Sequence, residues 1–186
     1  MTDLKQLWRD SKLKGDAAES IVEFLIESTP NWKCIKFGME NHIEELKKLI
    51  KGKTDEISLN IKSMPDFIAV NSKTNQVIMI DVKSRSIIDR RKSGTALYGF
   101  GYGKMKNYLD YWPYIYLLVL DRNIPQFTVI NMKDVKWHKH FYGRKNNGGE
   151  MMELWNFAGI ERQLKDVFPE LTKEVLDKAF SMIPSK

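Results

Sequence analysis

Residues 64 to 85, MPDFIAVNSKTNQVIMIDVKSR, constrain this chain more than any other stretch. PDFIAV and VIMIDV are apolar runs rich in β-branched residues, and the polar NSKTNQ between them has turn chemistry, so the segment predicts two paired strands. Side chains alternate along a strand, which puts Asp81 and Lys83 on one face at the end of the second strand. In an antiparallel hairpin Asp66, at the start of the first strand, lies beside them. Two carboxylates and an ammonium at one strand end cost free energy to gather unless a metal ion or an anionic substrate uses them. The plain alternative is a buried Asp–Lys ion pair with Asp66 capping the turn.

The rest of the chain frames this hairpin. At 186 residues it suits one domain with a sizeable core. Thirty Lys and Arg against 24 Asp and Glu give a net charge of +6, which permits a nucleic-acid partner without requiring one. The single cysteine, Cys34, excludes an intrachain disulfide and a Cys-cluster zinc site, and implies a reducing, intracellular compartment. The N-terminus is too charged for a signal peptide, and the longest apolar run, Tyr114 to Leu120, is too short to span a bilayer. The expectation is a soluble, cytoplasmic protein with no membrane partner.

In chain order, Lys14-Gly15-Asp16 leads into a helix with Ala18, Ile21, Val22, Leu25 and Ile26 at helical spacing, stopped by Pro30. Asp16 is a candidate cap for its start. Glu19 falls at the edge of the buried face, where a solvated glutamate is the bland reading. A strand follows from Trp32 to Phe37. Residues 38–63 read as a basic insertion with one short helix and a strand, ISLNI. After Arg85 the chain carries Arg90, Arg91 and Lys92, then the Gly-rich GFGYG (Gly99 to Gly103), read as a flexible loop, and a helix from Lys104 to Tyr111. Tyr114 to Leu120 and Phe127 to Asn131 are two further strands. His138 and His140 have strand-like ligand spacing but no third ligand in view, so a basic patch is the simpler reading. Two helices are expected in the tail, around Ile160 to Val167 and Leu171 to Met182. This divides the chain into a core, 1–137, with the 38–63 insertion, and a helical C-terminal extension, 138–186, in the same domain or a small subdomain.

Taken together, helix-borne Glu19, Pro65-Asp66 and Asp81-Val82-Lys83 resemble the PD-(D/E)XK nuclease superfamily. Within it, KGDAAE (Lys14 to Glu19) and PDFIAV…IDVKSR are similar to the archaeal Holliday-junction resolvases, over residues 12 to 37 and 64 to 131. The resemblance implies an α/β fold: a restriction-endonuclease-like mixed central sheet flanked by helices, here with a small α-helical C-terminal extension. It implies a divalent-metal-dependent DNA endonuclease, structure-selective on branched DNA and acting as a homodimer, because two symmetric cuts need two sites. Asp66 and Asp81 would bind Mg²⁺ or Mn²⁺, with the Val82 carbonyl as a further ligand and Glu19 binding directly or through water. Lys83 would orient or deprotonate the attacking water, with a pKa that falls if the ammonium is partly buried beside the cation. Lys14, Gly15, Ser84, Arg85, Arg90, Arg91, Lys92 and Lys104 are the candidate DNA contacts, with Tyr98, Phe100 and Tyr102 interleaved and Gly15 at a phosphate-binding helix start. Related nucleases carry Gln-x-x-x-Tyr after the hairpin; here K-M-K-N-Y puts Lys104 at the glutamine position. The alternatives are a restriction-type, nicking or recombination nuclease cutting duplex DNA, and a non-catalytic DNA-binding protein.

Overall fold

The structure, a computed structural model, describes residues 4–38, 44–85, 87–90, 96–121, 126–136, 141–145 and 151–183. Helix α1 (Leu4–Glu27) leads into β1 (Trp32–Lys36), and two short helices, α2 (Glu44–Ile50) and α3 (Glu56–Lys62), precede β2 (Phe67–Asn71) and β3 (Val77–Arg85). Next come β4 (Ile87–Arg90), β5 (Ala96–Gly101), α4 (Tyr102–Tyr111), β6 (Tyr116–Asp121) and β7 (Phe127–Asn131). Beyond them lie β8 (Phe141–Lys145), β9 (Met151–Asn156), β10 (Glu161–Arg162), α5 (Leu164–Val167) and α6 (Lys173–Ser181).

Six strands form a mixed sheet in the order β1-β2-β3-β6-β7-β10, parallel only between β3 and β6. The central strands β6 and β7 are buried on both sides and largely apolar, as strands covered on two faces are. On one face Leu118, Leu120, Phe127 and Val129 meet Ala18, Ile21, Val22, Leu25 and Ile26 of α1, the stripe that the helical spacing predicts. Phe168, Leu171 and Ala179 from the tail close the same cluster. On the other face Leu117, Val119 and Ile130 meet Met105 and Tyr108 of α4, together with Tyr98, Phe100 and Trp155. Those last three belong to a second, four-stranded antiparallel sheet, β4-β5-β9-β8. A bond between the Tyr98 and Thr128 hydroxyls, 3.0 Å, ties the two sheets together.

Four expectations are corrected by the structure, each for a local reason. Helix α1 begins at Leu4, so Gly15 lies inside it and Asp16 caps nothing. One glycine costs a helix about 1 kcal/mol, too little to end it, and a Cβ at Gly15 would meet nothing within 4 Å, so no close approach depends on it. ISLNI is the helix α3 because Asp55 caps it, accepting from the Ser58 backbone N–H at 3.0 Å and the Ser58 hydroxyl at 2.7 Å. GFGYG is the end of β5 and the start of α4: Tyr98 and Phe100 are only 2% and 3% exposed, and their burial holds the extended backbone that glycines alone would leave loose. Finally, among the described residues from 138 onward only α5 and α6 are helical; β8 and β9 join the second sheet, and β10 extends the first. Glu170 accepts from the Trp32 indole at 3.0 Å and the Asn71 amide at 3.3 Å, which fastens the tail to β1 and β2. His138 and His140 lie outside the described residues.

Candidate active site at the hairpin end

The β2–β3 pair is the antiparallel hairpin the sequence predicts, with Phe67 opposite Ile80. Its turn is held by Asn71, whose side-chain oxygen accepts from the Lys73 and Thr74 backbone N–H groups at 2.9 and 3.0 Å. That register sets Asp66 beside Asp81. The Asp66 carboxylate accepts the Val82 backbone N–H through Oδ2 at 2.7 Å, and its own carbonyl accepts the Phe37 N–H at 2.9 Å, so β1, β2 and β3 meet at this residue.

Alternation along β3 then decides which side chains reach the site. Ile78, Ile80 and Val82 enter the apolar cluster with α1, and Asp81 faces α4. Asp81 is 1% exposed, and its Oδ1 accepts the Tyr108 hydroxyl at 2.8 Å. Its Oδ2 has no aligned hydrogen bond and is faced by the Lys83 ammonium in direct ion contact. The same ammonium donates to the Val82 carbonyl at 2.9 Å and stands 4.0 Å from Asp66 Oδ2. Three oxygens from Asp66, Asp81 and Val82 therefore surround one cationic centre.

Glu19 comes from α1 and shares with Asp66 a cleft of about 180 Å³, lined also by Asp16, Ser20, Glu23, Lys36, Gly38 and Phe67. Glu23 is occupied by an ion pair with Lys36 at 2.9 Å. Among the described residues, no three Asp, Glu, His or Cys side chains stand close enough together to form a metal-ligand cluster. Two carboxylates and a carbonyl nonetheless fit Mg²⁺, which takes one or two carboxylates and keeps several waters, and Asp81 Oδ2, met by the Lys83 ammonium, already faces a cationic position.

Burial sets the proton affinities. Desolvation pushes the Asp66 carboxyl up to about 7, with the Asp81 charge adding to the rise and Lys83 opposing it. Burial also raises Glu19, again opposed by Lys83. At Lys83 burial pulls the pKa down, but the charges of Asp81 and Asp66 outweigh that and hold the ammonium above its ordinary value. Desolvation, and then the Asp81 charge, push Tyr108 well above the usual phenol range, so its hydroxyl keeps the proton it donates.

The candidate DNA contacts separate. Lys14 and Lys104 are exposed, and Lys104 lies near enough to influence Glu19. Ser84 is buried in β3. Arg85 serves the fold: its Nε donates to the Gly99 carbonyl at 3.2 Å, another guanidinium nitrogen to the Ser84 carbonyl at 2.8 Å, and it lies over the Phe100 ring at 5.3 Å. Tyr98 and Phe100 are core residues, and Tyr102 is exposed. Arg90 closes β4 with its side chain outside the described set, and Arg91 and Lys92 lie outside the described residues. The residue sequence reasoning missed is Tyr108. Its signal is the tyrosine of K-M-K-N-Y, four residues after Lys104.

The insertion borders the site as well. The Trp112 indole donates to the Asn60 carbonyl at 3.3 Å, and Phe37 meets Trp112 edge-on at 6.2 Å, so α3 is fastened to the end of α4. No protein-family model, curated protein or solved structure matches the chain. No described helix is long and apolar enough to cross a membrane.

Proposed function

We propose that this protein is a divalent-metal-dependent DNA endonuclease with a restriction-endonuclease-like core, selective for branched DNA and acting as a homodimer. One observation carries the reading: Asp66, Asp81 and the Val82 carbonyl turn their oxygens toward a single cation position at the hairpin end. When bound, Mg²⁺ or Mn²⁺ supplies an acidified water and charge neutralisation on the scissile phosphate. The chain's own groups do the rest. Asp66, Asp81 and the Val82 carbonyl would hold the ion, and Glu19, in the same cleft as Asp66, would add its carboxylate directly or through water. Lys83, protonated, leaves Asp81 for a phosphate oxygen and for the attacking water, and there offsets the charge that grows in the transition state. Lys104 and Lys14 steady the DNA backbone beside the cleft. A junction cut symmetrically needs two such sites, hence the dimer.

The test is digestion of four-way junction, flap, duplex and single-stranded DNA in Mg²⁺, with Asp81→Ala and Lys83→Ala alongside. Each variant is expected to lose cleavage by about 10²–10⁴-fold while still binding DNA. Intact cleavage by a folded Asp81→Ala protein sinks the site. A strong preference for linear duplex replaces junction selectivity with the restriction-type reading. A wild-type protein that binds DNA but takes up no Mg²⁺ or Mn²⁺ is a DNA-binding scaffold.

A further inference from the structure

Tyr108 is fully buried on α4, between the second apolar cluster and the hairpin end, and its hydroxyl is spent on one oxygen of Asp81. A free carboxylate can rotate and offer either oxygen, or both, to a cation. Asp81 has lost that freedom: Oδ1 is fixed by the phenol at 2.8 Å, and Oδ2 alone remains on the side where Lys83, the Val82 carbonyl and Asp66 meet. The phenol is itself held. Met105, one helical turn before it, is fully buried in the same cluster, and the far end of α4 is anchored to α3 through Trp112. The ring also lies beneath two ammonium groups, Lys83 Nζ at 5.7 Å and Lys104 Nζ at 5.8 Å from its centroid, so it packs against both cations of the site.

We propose that Tyr108 is a positioning residue for the metal: by holding Asp81 Oδ1 it presents Oδ2 as a single, fixed ligand for Mg²⁺ or Mn²⁺. This rests on the metal-dependent reading of the site. Hydrogen bonds to the non-ligating atoms of metal ligands fix ligand orientation, and losing one weakens metal affinity by about 10–100-fold. The phenol is fully buried and its hydroxyl bonds Asp81, so loss of the hydroxyl alone reaches the reaction through Asp81. A second buried tyrosine supplies the internal standard. The Tyr98 hydroxyl is likewise bonded to a buried partner, the Thr128 hydroxyl at 3.0 Å, on the sheet-to-sheet contact and outside the residues of the site.

The experiment compares the wild-type chain with Tyr108→Phe and Tyr98→Phe, each lacking one buried hydroxyl and nothing else. Mn²⁺ is titrated by calorimetry, and junction cleavage is followed across Mn²⁺ concentrations. Tyr108→Phe is expected to bind Mn²⁺ about 10–100-fold more weakly and to need correspondingly more metal for half-maximal cleavage, with its rate recovering at saturating metal. Tyr98→Phe is expected to bind Mn²⁺ as the wild type does. The Mn²⁺-induced rise in unfolding temperature gives a second readout that survives a loss of stability, and it should shrink only in Tyr108→Phe. Wild-type Mn²⁺ affinity in Tyr108→Phe, or equal weakening in both variants, overturns the positioning role while leaving the nuclease reading intact. A wild-type protein that binds no Mn²⁺, with or without DNA, overturns both.

Discussion

One face of the six-stranded sheet is closed by α1, α5 and α6 mainly with apolar side chains, Glu170 bonding Trp32 and Asn71 at its edge, whereas the other buries Asp81, Thr128 and the hydroxyls of Tyr98 and Tyr108 among its aromatics. The two faces share strands: in β3, Ile80 and Val82 serve the first and Asp81 the second. Apolar burial is non-directional, so the first face needs only volume and pattern. Every buried polar group on the second face needs a partner at the right distance and angle, so that face fixes positions as well as burying area. The candidate site lies at the strand ends, with Asp81 held on the second face and Glu19 reaching in from α1.

The largest effect should come from breaking the apolar face. Leu25, fully buried on α1, is expected to cost about 2–5 kcal/mol of stability as Leu25→Ala, read by denaturant unfolding. If the faces act separately, Mn²⁺ affinity measured where the variant is still folded should equal that of the wild type. A weakened affinity would show that the first face helps to hold the metal ligands and would end the division drawn above.

A smaller effect distinguishes the faces by pH. Asp66 binds its proton with a pKa of about 7 in the fold against an ordinary 3.8, so between those values the folded protein holds more protons than the unfolded chain. Stability of the metal-free protein must therefore fall as pH rises through that window, and Glu19, raised in the same direction, adds to the trend. The unfolding midpoint in chelator is expected to drop by several degrees between about pH 5 and about pH 7.5, since 1 kcal/mol moves it by about 2–4 °C in a chain of this size. Asp66→Asn should flatten that dependence. A wild-type midpoint that rises across the same range would contradict the buried, desolvated placement of Asp66.

The unequal legibility of the two faces has the same physical root. Ala18, Ile21, Val22, Leu25 and Ile26 announce their helix by spacing, and the hairpin announces itself by alternation and turn residues, so α1 and the Asp66–Asp81–Lys83 grouping could be read directly. The second sheet could not. β5 pairs with β9 some fifty residues on, and nothing local in ALYGFG records that Leu97 lies opposite Asn156 or Gly101 opposite Met152. Its glycines argued for a loop, and tertiary burial of Tyr98 and Phe100 overrode them. ISLNI failed for the opposite reason, a local cap at Asp55 prevailing over an alternating pattern. Tyr108 stands in plain sight in the sequence, yet only the fold brings its hydroxyl to Asp81.

Arg85 offers the finest separation, between residues that serve the second face and residues proposed to contact DNA. Its guanidinium bonds the Gly99 and Ser84 carbonyls and packs on Phe100, joining the end of β3 to β5, while Lys104 is exposed beside the cleft. Arg85→Met is expected to cost about 1 kcal/mol of stability, and to leave unchanged the slope of log affinity for DNA against log salt. Lys104→Ala should do the reverse, keeping the unfolding midpoint and lowering that slope by about 1, the signature of one lost phosphate contact. Fluorescence-anisotropy titrations of junction DNA at several salt concentrations, paired with thermal melts, measure both quantities on the same samples. A lowered slope with an unmoved midpoint in Arg85→Met would return this arginine to the DNA surface, and would mean that β3 is tied to β5 by strand packing without it.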